Sequence, residues 1–177
     1  FFAIKGKNKD GNLFVKEALA KGASLAIVNN QKKSKNKIVV KDTLKFLTES
    51  SSILRENLSS KIISITGSCG KTSLKELMGR SLNKISETTY SPKSFNNKFG
   101  VPLSLFNLKK DDSFGIFEIG MDKKGEIDYL SKIIKPDVGV ITNISYAHIK
   151  NFKNISEIAL AKSEIIKNIK DDGYLIL

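Results

Sequence analysis

A short glycine-containing loop lies between an apolar run and a helix-compatible stretch. It limits the possible folds of this chain more than any other part of the sequence. Residues 62–66 have the pattern of a buried strand, and Gly67-Ser68-Cys69-Gly70-Lys71-Thr72-Ser73 follows directly. Glycine lets the backbone curl until its N–H groups converge on phosphate oxygens, and the start of the next helix adds positive potential. The order strand, glycine loop, helix therefore predicts a P-loop that binds a nucleotide.

Within this loop, we expect Lys71 to neutralise the β- and γ-phosphates and the Thr72 hydroxyl to ligate magnesium. The loop is shorter than the usual pattern, because Ile65 stands where that pattern has its first glycine. An ordinary glycine-rich turn is the alternative interpretation. The Gly-Lys-Thr sequence between a strand and a helix favours nucleotide binding.

From Lys61 onwards, apolar runs alternate with longer helix-compatible stretches, which is typical of a parallel sheet. The predicted strands are residues 62–66, 114–119, 138–142 and 174–177. The predicted helices are residues 71–85, 125–134 and 156–169. Sheets of this kind place ligands at the carboxyl ends of their strands, so polar residues at those ends are candidates for the site.

Residues 1–60 consist of shorter elements. The predicted strands are residues 1–4, 25–28 and 38–40, the predicted helices are residues 13–20 and 43–57, and Ser59-Ser60 is a plausible linker. The expected fold class is therefore α/β, with a small N-terminal α/β domain (1–60) followed by a P-loop domain (61–177) whose mostly parallel sheet is flanked by helices.

Composition narrows the class of protein. The net charge of +12 would suit nucleic acid, but Arg55 and Arg80 are the only arginines and the lysine-rich stretch 32–37 has no aromatic residue, so we expect no nucleic-acid partner.

A single cysteine, Cys69, suits a reducing compartment. Because no apolar run approaches the roughly 20 residues that span a bilayer, we expect a cytoplasmic protein. Both ends are apolar and strand-like, so flanking sequence is expected.

Two further residues fall at strand ends. Glu118 closes the apolar run 114–117, where an acid in a P-loop sheet can reach a metal beside the phosphates; a simple surface carboxylate is the alternative. His148, the only histidine, lies just beyond the predicted strand 138–142. From its position alone, a metal or phosphate contact and an ordinary surface role remain equally open.

Lys162 is the most unusual residue of the last predicted helix. It lies within an apolar stripe formed at spacings of three and four by Ile155, Ile158, Ile165, Ile166 and Ile169. Burial would lower the pKa of this lysine and expose a nucleophilic neutral amine. Periodicity alone favours the alternative, in which the side chain snorkels to the surface at the margin of the stripe.

Taken together, these residues resemble the Mur ligases, and among them the members that add D-alanyl-D-alanine. The resemblance covers nearly the whole chain. In the second domain it rests on Thr66-Gly67-Ser68-Cys69-Gly70-Lys71-Thr72, Asn96-Asn97-Lys98-Phe99-Gly100-Val101-Pro102, Glu118-Ile119-Gly120-Met121, Gly125-Glu126-Ile127, Pro136-Asp137-Val138, Ile141-Thr142-Asn143-Ile144, Ala147-His148 and Ala161-Lys162-Ser163-Glu164-Ile165. In the first domain it rests on Phe1-Phe2-Ala3-Ile4-Lys5-Gly6, Asp10-Gly11 and Gly22-Ala23.

The resemblance implies an ATP- and magnesium-dependent amide ligase of peptidoglycan precursor synthesis. Its substrates would be a UDP-N-acetylmuramoyl-tripeptide, activated as an acyl phosphate, and D-alanyl-D-alanine. The protein would be a monomer. Residues 1–60 would be part of the domain that binds the UDP-linked substrate, and residues 61–177 part of the central ATP-binding domain; the C-terminal domain of the family is not in this sequence.

By the same resemblance, the catalytic residues are Lys71, His148 and Lys162. Thr72 and Glu118 would hold one magnesium ion, while His148 and a carbamate on Lys162 would serve a second. Asn96 and Asn97 would approach the muramoyl substrate. The nucleotide would contact Gly67, Ser68, Cys69, Gly70, Lys71, Thr72, Ser73 and Asn143.

Three alternatives remain. Another ligase of the superfamily, such as a folylpolyglutamate synthetase or a different muramoyl peptide ligase, is disfavoured by the N-terminal segment and by Asn96-Asn97. A P-loop kinase or GTPase would need a phosphoacceptor site or a guanine-reading motif, and the sequence has no Asn-Lys-x-Asp element. A noncatalytic basic module would show salt-sensitive nucleic-acid binding without dependence on ATP.

Overall fold

The computed structural model describes residues 1–6, 8–30, 32, 34–146 and 151–177. The chain forms two compact units, Phe1–Ser50 and Ser51–Leu177. The boundary lies within helix α2 (Thr43–Glu56), which therefore contributes residues to both units. The boundary expected from sequence, at residues 60 and 61, lies further along the chain.

The first unit is small and built from short elements. A 3-10 turn (Gly11–Phe14) leads into α1 (Val15–Ala20), and β1 (Ala26–Val28) pairs in parallel with β2 (Lys37–Val39). The predicted strand at residues 1–4 is reduced to one isolated bridge, between Phe2 and Ile27. The core of this unit consists of Ala3, Val15, Ala26 and Val28, against which Leu19 packs.

The second unit is organised by a parallel sheet, as predicted. Its strands in chain order are β3 (Lys61–Thr66), β4 (Thr88–Tyr90), β5 (Phe114–Glu118), β6 (Val138–Ile141) and β7 (Tyr174–Ile176). Their spatial order is β4-β5-β3-β6-β7, and each neighbouring pair is parallel. The central strand β3 is buried from Ile62 to Thr66, as expected for a strand covered on both faces.

Helices cover the two faces of this sheet. They are α3 (Lys71–Leu82), α4 (Gly100–Leu105), α5 (Glu126–Ile134) and α6 (Ile155–Ser163), and α6 continues as a 3-10 turn (Glu164–Asn168). Strand β4 and helix α4 were not predicted, because β4 has only three residues and α4 contains Gly100 and Pro102, which usually interrupt helices. Proline is tolerated there because it lies in the first turn.

Side chains along each strand point alternately to the two faces of the sheet, so the core has two layers. Ile62, Phe117 and Ile141 face the cluster that contains the apolar residues of α4, α5 and α6. Ile63, Ile65, Ile116 and Val140 face Leu74, Met78 and Leu82 of α3. Successive side chains of a strand point to opposite faces, so a sheet covered on both sides needs apolar residues at nearly every position. No helix among the described residues has the length and apolar character needed to cross a membrane.

A buried ion pair joins the end of α2 to the sheet. One guanidinium nitrogen of Arg55 lies 3.1 Å from Asp137 Oδ2, and the two side chains are 4% and 6% exposed. The same carboxylate accepts hydrogen bonds from the Ile62 N–H at 2.8 Å, from Lys170 at 2.9 Å and from Lys61 at 3.2 Å. Burial alone would raise the pKa of Asp137, but these hydrogen bonds outweigh it and hold that pKa below its usual value.

Candidate active site at the phosphate loop

The register of the sheet brings the predicted site residues to one edge. Ile65 of β3 pairs with Glu118 of β5, and Thr66 pairs with Ile141 of β6. The loop that begins at Gly67 therefore leaves the sheet between the carboxyl ends of its two neighbours. This is the location at which open α/β sheets bind their ligands.

Close contact with the residue that follows β6 explains the first glycine of the loop. Gly67 has a φ of +149°, and a Cβ there would lie 1.9 Å from Thr142 Oγ1. Gly70, with a φ of +80°, adopts the left-handed conformation from which α3 starts. Lys71 is the first residue of α3, and its ammonium folds back to donate a 2.9 Å hydrogen bond to the Gly67 carbonyl. The lysine therefore lies over the loop, as a phosphate-binding lysine requires.

Glu118 is the centre of a polar cluster beside the loop. It is 2% exposed. Its Oε2 accepts a 2.6 Å hydrogen bond from the Thr72 hydroxyl, and its Oε1 accepts a 2.7 Å bond from the Asn96 amide. Its backbone N–H donates to Ser91 Oγ at 3.3 Å. A buried carboxylate with both oxygens engaged has a fixed orientation, which favours a metal-binding role over that of a loose surface acid.

The oxygen atoms of Thr72 and Glu118 suit magnesium. This hard cation prefers oxygen ligands and is commonly bound by one or two protein groups, with phosphate and water completing its shell. Among the described residues there is no group of three or more His, Cys, Asp or Glu side chains that would form an all-protein metal cage. A hydroxyl and a carboxylate next to a phosphate loop therefore fit magnesium held jointly with a nucleotide.

Asn143 joins the phosphate loop to the end of β6. Its side-chain oxygen accepts hydrogen bonds from the backbone N–H groups of Ser68 at 3.1 Å and Cys69 at 3.0 Å. Thr142 Oγ1 donates to the Cys69 carbonyl at 2.6 Å. Two consecutive N–H groups that converge on one oxygen form the kind of backbone nest that binds anions.

Lys162 is buried, with 1% of its surface exposed. This excludes the snorkelling alternative. Burial, with a smaller contribution from the positive charge of Lys71, lowers the pKa of Lys162 from 10.5 to about 8. The amine is therefore much more often neutral at physiological pH than that of an exposed lysine.

The predicted apolar stripe around Lys162 is only partly correct. Ile158 and Ile165 are buried, but Ile155 is 37% exposed and Ile166 is 48% exposed. The helix changes to a 3-10 turn at Glu164, so the angle between successive side chains changes and Ile166 leaves the buried face. Ile155 is the first residue of α6, where less of the protein covers it.

Sequence reasoning gave no role to Glu164, which follows Lys162 by two residues. Its carboxylate is buried and accepts hydrogen bonds from the N–H groups of Gly125 at 2.8 and 3.0 Å and of Asp128 at 3.2 Å. It thus caps the start of α5 from another helix, and its negative charge is favourable at that end. Glu164 belongs to the sequence motif of residues 161–165 that contains Lys162. Its hydrogen-bond partners could not be predicted, because they depend on the tertiary structure.

A cavity of about 780 Å³ opens beside the phosphate loop. Its lining includes Lys71, Asn96, Asn97, Lys98, Lys123 and Lys124. Asn97 also has a local role, because its Oδ1 accepts hydrogen bonds from the N–H groups of Phe99 and Gly100 at 3.0 Å and so caps α4. Two acidic residues, Asp122 and Glu126, also line it, but the four lysines outnumber them, so the net positive lining suits an anionic ligand.

The structure brings together most of the residues that the sequence singled out. Lys71, Thr72 and Glu118 lie at one end of the sheet with Asn96 and Asn143, as the hydrogen bonds above show. Ser73 is exposed in the first turn of α3. His148 lies outside the described residues.

A parallel sheet with a P-loop after its central strand, and a buried acid at the end of the adjacent strand, defines the class of P-loop nucleotide-binding folds. Comparison with known families is more specific: residues 65–177 match the Mur ligase middle domain. The chain belongs to the Mur ligase family. This confirms the family resemblance and the predicted α/β fold.

Individual relatives extend the similarity over the whole chain. The "UDP-N-acetylmuramoyl-tripeptide--D-alanyl-D-alanine ligase" of Buchnera aphidicola is 37% identical over 99% of this chain and 39% of its own length. The protein of the same name from Bacillus subtilis is 35% identical over the same shares. The chain thus spans about two fifths of the length of these relatives.

Solved structures agree. The structure of MurF from Acinetobacter baumannii has a TM-score of 0.88 and 37% identity, covering 99% of this chain and 39% of that one. The MurF ligase of Thermotoga maritima in complex with ADP has a TM-score of 0.84 and 32% identity, covering 99% of this chain and 41% of that one.

Proposed function

We propose that the whole protein containing this chain joins D-alanyl-D-alanine to a UDP-N-acetylmuramoyl-tripeptide at the expense of ATP. The observation that carries the proposal is the pairing of Thr72 with Glu118 directly beside the phosphate loop, at 2.6 Å. The names of the Buchnera and Bacillus relatives, together with the ADP complex of the Thermotoga structure, support this substrate set.

The phosphate loop would bind the ATP phosphates. The N–H groups of Ser68 and Cys69 converge on one oxygen of Asn143, so the loop can direct the same donors at phosphate. Lys71 adds a positive charge at the start of α3. Thr72 and Glu118 would hold magnesium, which, when bound, offsets the negative charge on the transferred phosphoryl group.

The tripeptide substrate would enter the lysine-lined cavity. Its terminal carboxylate oxygen attacks the γ-phosphorus of ATP, ADP leaves, and an acyl phosphate forms. The amine of D-alanyl-D-alanine then attacks the acyl carbon, phosphate leaves, and the amine loses a proton as the amide bond forms. In this scheme Asn96 and Asn97 lie on the muramoyl-substrate side, where both line the cavity.

Lys162 is proposed to act as a carbamate. A neutral amine adds to carbon dioxide and loses a proton, which converts a cationic side chain into an anionic oxygen ligand. Burial and the lowered pKa of Lys162 favour this reaction. The carbamate, together with His148, would hold a second magnesium ion.

The remaining assignments follow from the same proposal. Residues 1–60 would belong to the domain that binds the UDP-linked substrate, and residues 61–177 to the ATP-binding domain. The protein would act in the cytoplasm as a monomer in peptidoglycan precursor synthesis, without a nucleic-acid partner.

The proposal can be tested by measuring phosphate release with the purified whole protein. Phosphate release from ATP should require both the UDP-muramoyl-tripeptide and D-alanyl-D-alanine, and mass spectrometry should detect the joined pentapeptide product. The Lys71→Met variant should lose this release, since it removes the charge that lies over the loop. Phosphate release that neither substrate affects would contradict the proposal.

A further inference from the structure

A second buried lysine lies one helical turn after the phosphate-loop lysine, and the proposed reaction does not use it. Lys75 of α3 is 0% exposed. An ammonium group removed from water is costly unless acceptors satisfy its three donors. The residues around a buried ammonium must therefore supply those acceptors at hydrogen-bonding distance.

Three acceptors surround this ammonium. Nζ of Lys75 donates to the carbonyl of Ser91 at 2.7 Å and to the carbonyl of Lys93 at 2.6 Å. The carboxylate of Glu76 lies 2.9 Å away. Hydrogen bonds from a charged donor are stronger than neutral ones, so Lys75 fastens the turn formed by residues 91–93 to α3.

Two features show that this attachment is tight. Lys93 has a φ of +48°, a strained conformation for a residue with a side chain, which persists only where neighbouring contacts enforce it. Gly79, one turn beyond Lys75, approaches Tyr90 so closely that a Cβ would lie 2.5 Å from the ring. Helix α3 therefore packs closely against both the end of β4 and the 91–93 turn.

The 91–93 turn leads directly into the candidate site. Ser91 Oγ accepts the N–H of Glu118 at 3.3 Å. Asn96 donates from its side chain to Glu118 at 2.7 Å, and its carbonyl accepts the N–H of Gly120 at 2.8 Å. A shift of the turn would thus move the amide that orients the candidate magnesium-binding carboxylate.

We infer that Lys75 is a positioning residue: by holding the 91–93 turn on α3, it places Asn96 against Glu118 and sets the cavity wall that carries Asn96 and Asn97. Because α3 also begins at the phosphate loop, the lysine links the position of the nucleotide to that of the muramoyl substrate. The link to substrate rests on the proposed function, whereas the placement of residues 91–97 does not.

The experiment compares Lys75→Met with Lys84→Met in the whole protein. Lys84 is exposed just beyond the same helix, so its variant controls for loss of a positive charge. In Lys75→Met, amide hydrogen exchange across residues 94–100 should accelerate by about tenfold or more, while exchange in the core strand β3 stays unchanged. Calorimetric ADP affinity should stay within about threefold, and KM for the UDP-muramoyl-tripeptide should rise by about tenfold.

Lys75→Arg provides a second variant that keeps the charge. Its planar guanidinium cannot replace an ammonium that meets three acceptors, so the same selective changes should appear in weaker form. Unchanged exchange across residues 94–100 in a folded variant would overturn the inference. So would equal losses of ADP and substrate affinity, which would indicate a general defect of α3. Hydrogen exchange and ADP binding do not depend on the reaction, so a failed ligase assay of the wild type would count only against the proposed function.

Discussion

The hydroxyl of Thr72 donates a 2.6 Å hydrogen bond to Oε2 of Glu118, a residue 46 positions further along the chain. If this pair holds magnesium, Glu118→Gln should lower kcat by at least about 100-fold, because the amide removes the negative charge and one acceptor oxygen. The measurement is a magnesium titration of the rate. The control is Glu87→Gln, which alters an exposed side chain near the start of β4. A variant with the wild-type magnesium response would exclude Glu118 as a ligand.

Thr72 offers a matched pair of substitutions. Thr72→Ser keeps the hydroxyl and should retain most activity, whereas Thr72→Val keeps the shape and should lose most of it. Equal activity of the two variants would show that the hydroxyl is not needed.

Lys162 should be required for activity and replaceable by an added anion. Lys162→Ala removes the proposed carbamate and leaves space, so activity should fall and short-chain carboxylates should restore part of it. The rate is measured with increasing carboxylate, with wild type as the control that should not respond. Full activity of the alanine variant without additives would rule out the proposed role.

The lowered pKa of Lys162 also predicts how stability depends on pH. Its folded-state pKa is about 8 against an ordinary 10.5, so the unfolded chain holds the proton more tightly. The destabilising effect of the buried charge is complete below about pH 8 and disappears as the pH rises towards 10.5. In carbon dioxide-free buffer, wild type should gain about 3 kcal/mol of unfolding free energy relative to Lys162→Met across this range. A constant difference between the two proteins would contradict the shift.

Glu164 should affect both stability and the cavity. Glu164→Ala leaves the N–H groups of Gly125 and Asp128 without their acceptor, which should lower the unfolding free energy by about 1–2 kcal/mol. Because Gly125 and Glu126 line the cavity, KM for the muramoyl substrate should rise as well. Glu164→Gln keeps one acceptor oxygen and should lie between wild type and the alanine variant. Denaturant unfolding and steady-state kinetics provide the two measurements, and an unaffected KM would confine Glu164 to a purely stabilising role.

Asp137 should contribute strongly to stability. Asp137→Asn leaves Arg55 buried without an opposite charge, which should cost about 3–5 kcal/mol in denaturant unfolding at neutral pH. Since the pKa of Asp137 is lowered, its contribution is present above its ordinary value of 3.8 and is lost as the pH falls through the folded-state pKa. The gap between wild type and variant should therefore narrow in acid. Asp111→Asn, at an exposed turn, should change little.

The sequence predicted those parts of the site that depend on contiguous residues. The phosphate loop is local, and Glu118 closes an apolar run, so its place at the end of a strand followed from the sequence pattern. Lys162 was visible as a charged residue within an apolar stripe. The family comparison supports this fold, and the roles of these residues stay predictions.

What could not be predicted depends on distant partners. Lys75 borders the apolar positions Leu74 and Met78 of α3, but nothing in the sequence reveals that backbone carbonyls of the 91–93 turn satisfy its charge. Strand β4 is too short for a clear periodicity and is stabilised by pairing with β5. The exposure of Ile166 follows from a helix that tightens after Ser163, which side-chain spacing does not encode.

The contacts of Arg55 determine where a truncated form of this protein should begin. Its Nε donates to the carbonyl of Ile134 at 2.9 Å, so the end of α2 is fixed within the second unit although the helix begins in the first. A recombinant piece that starts at β3 would discard the guanidinium, so the Ile134 carbonyl would lose its donor and Asp137 would keep only Lys61, Lys170 and the Ile62 N–H as partners. Cutting ahead of Ser51 instead retains that support, and crystallographers or assay developers who want the second unit alone should choose their first codon accordingly.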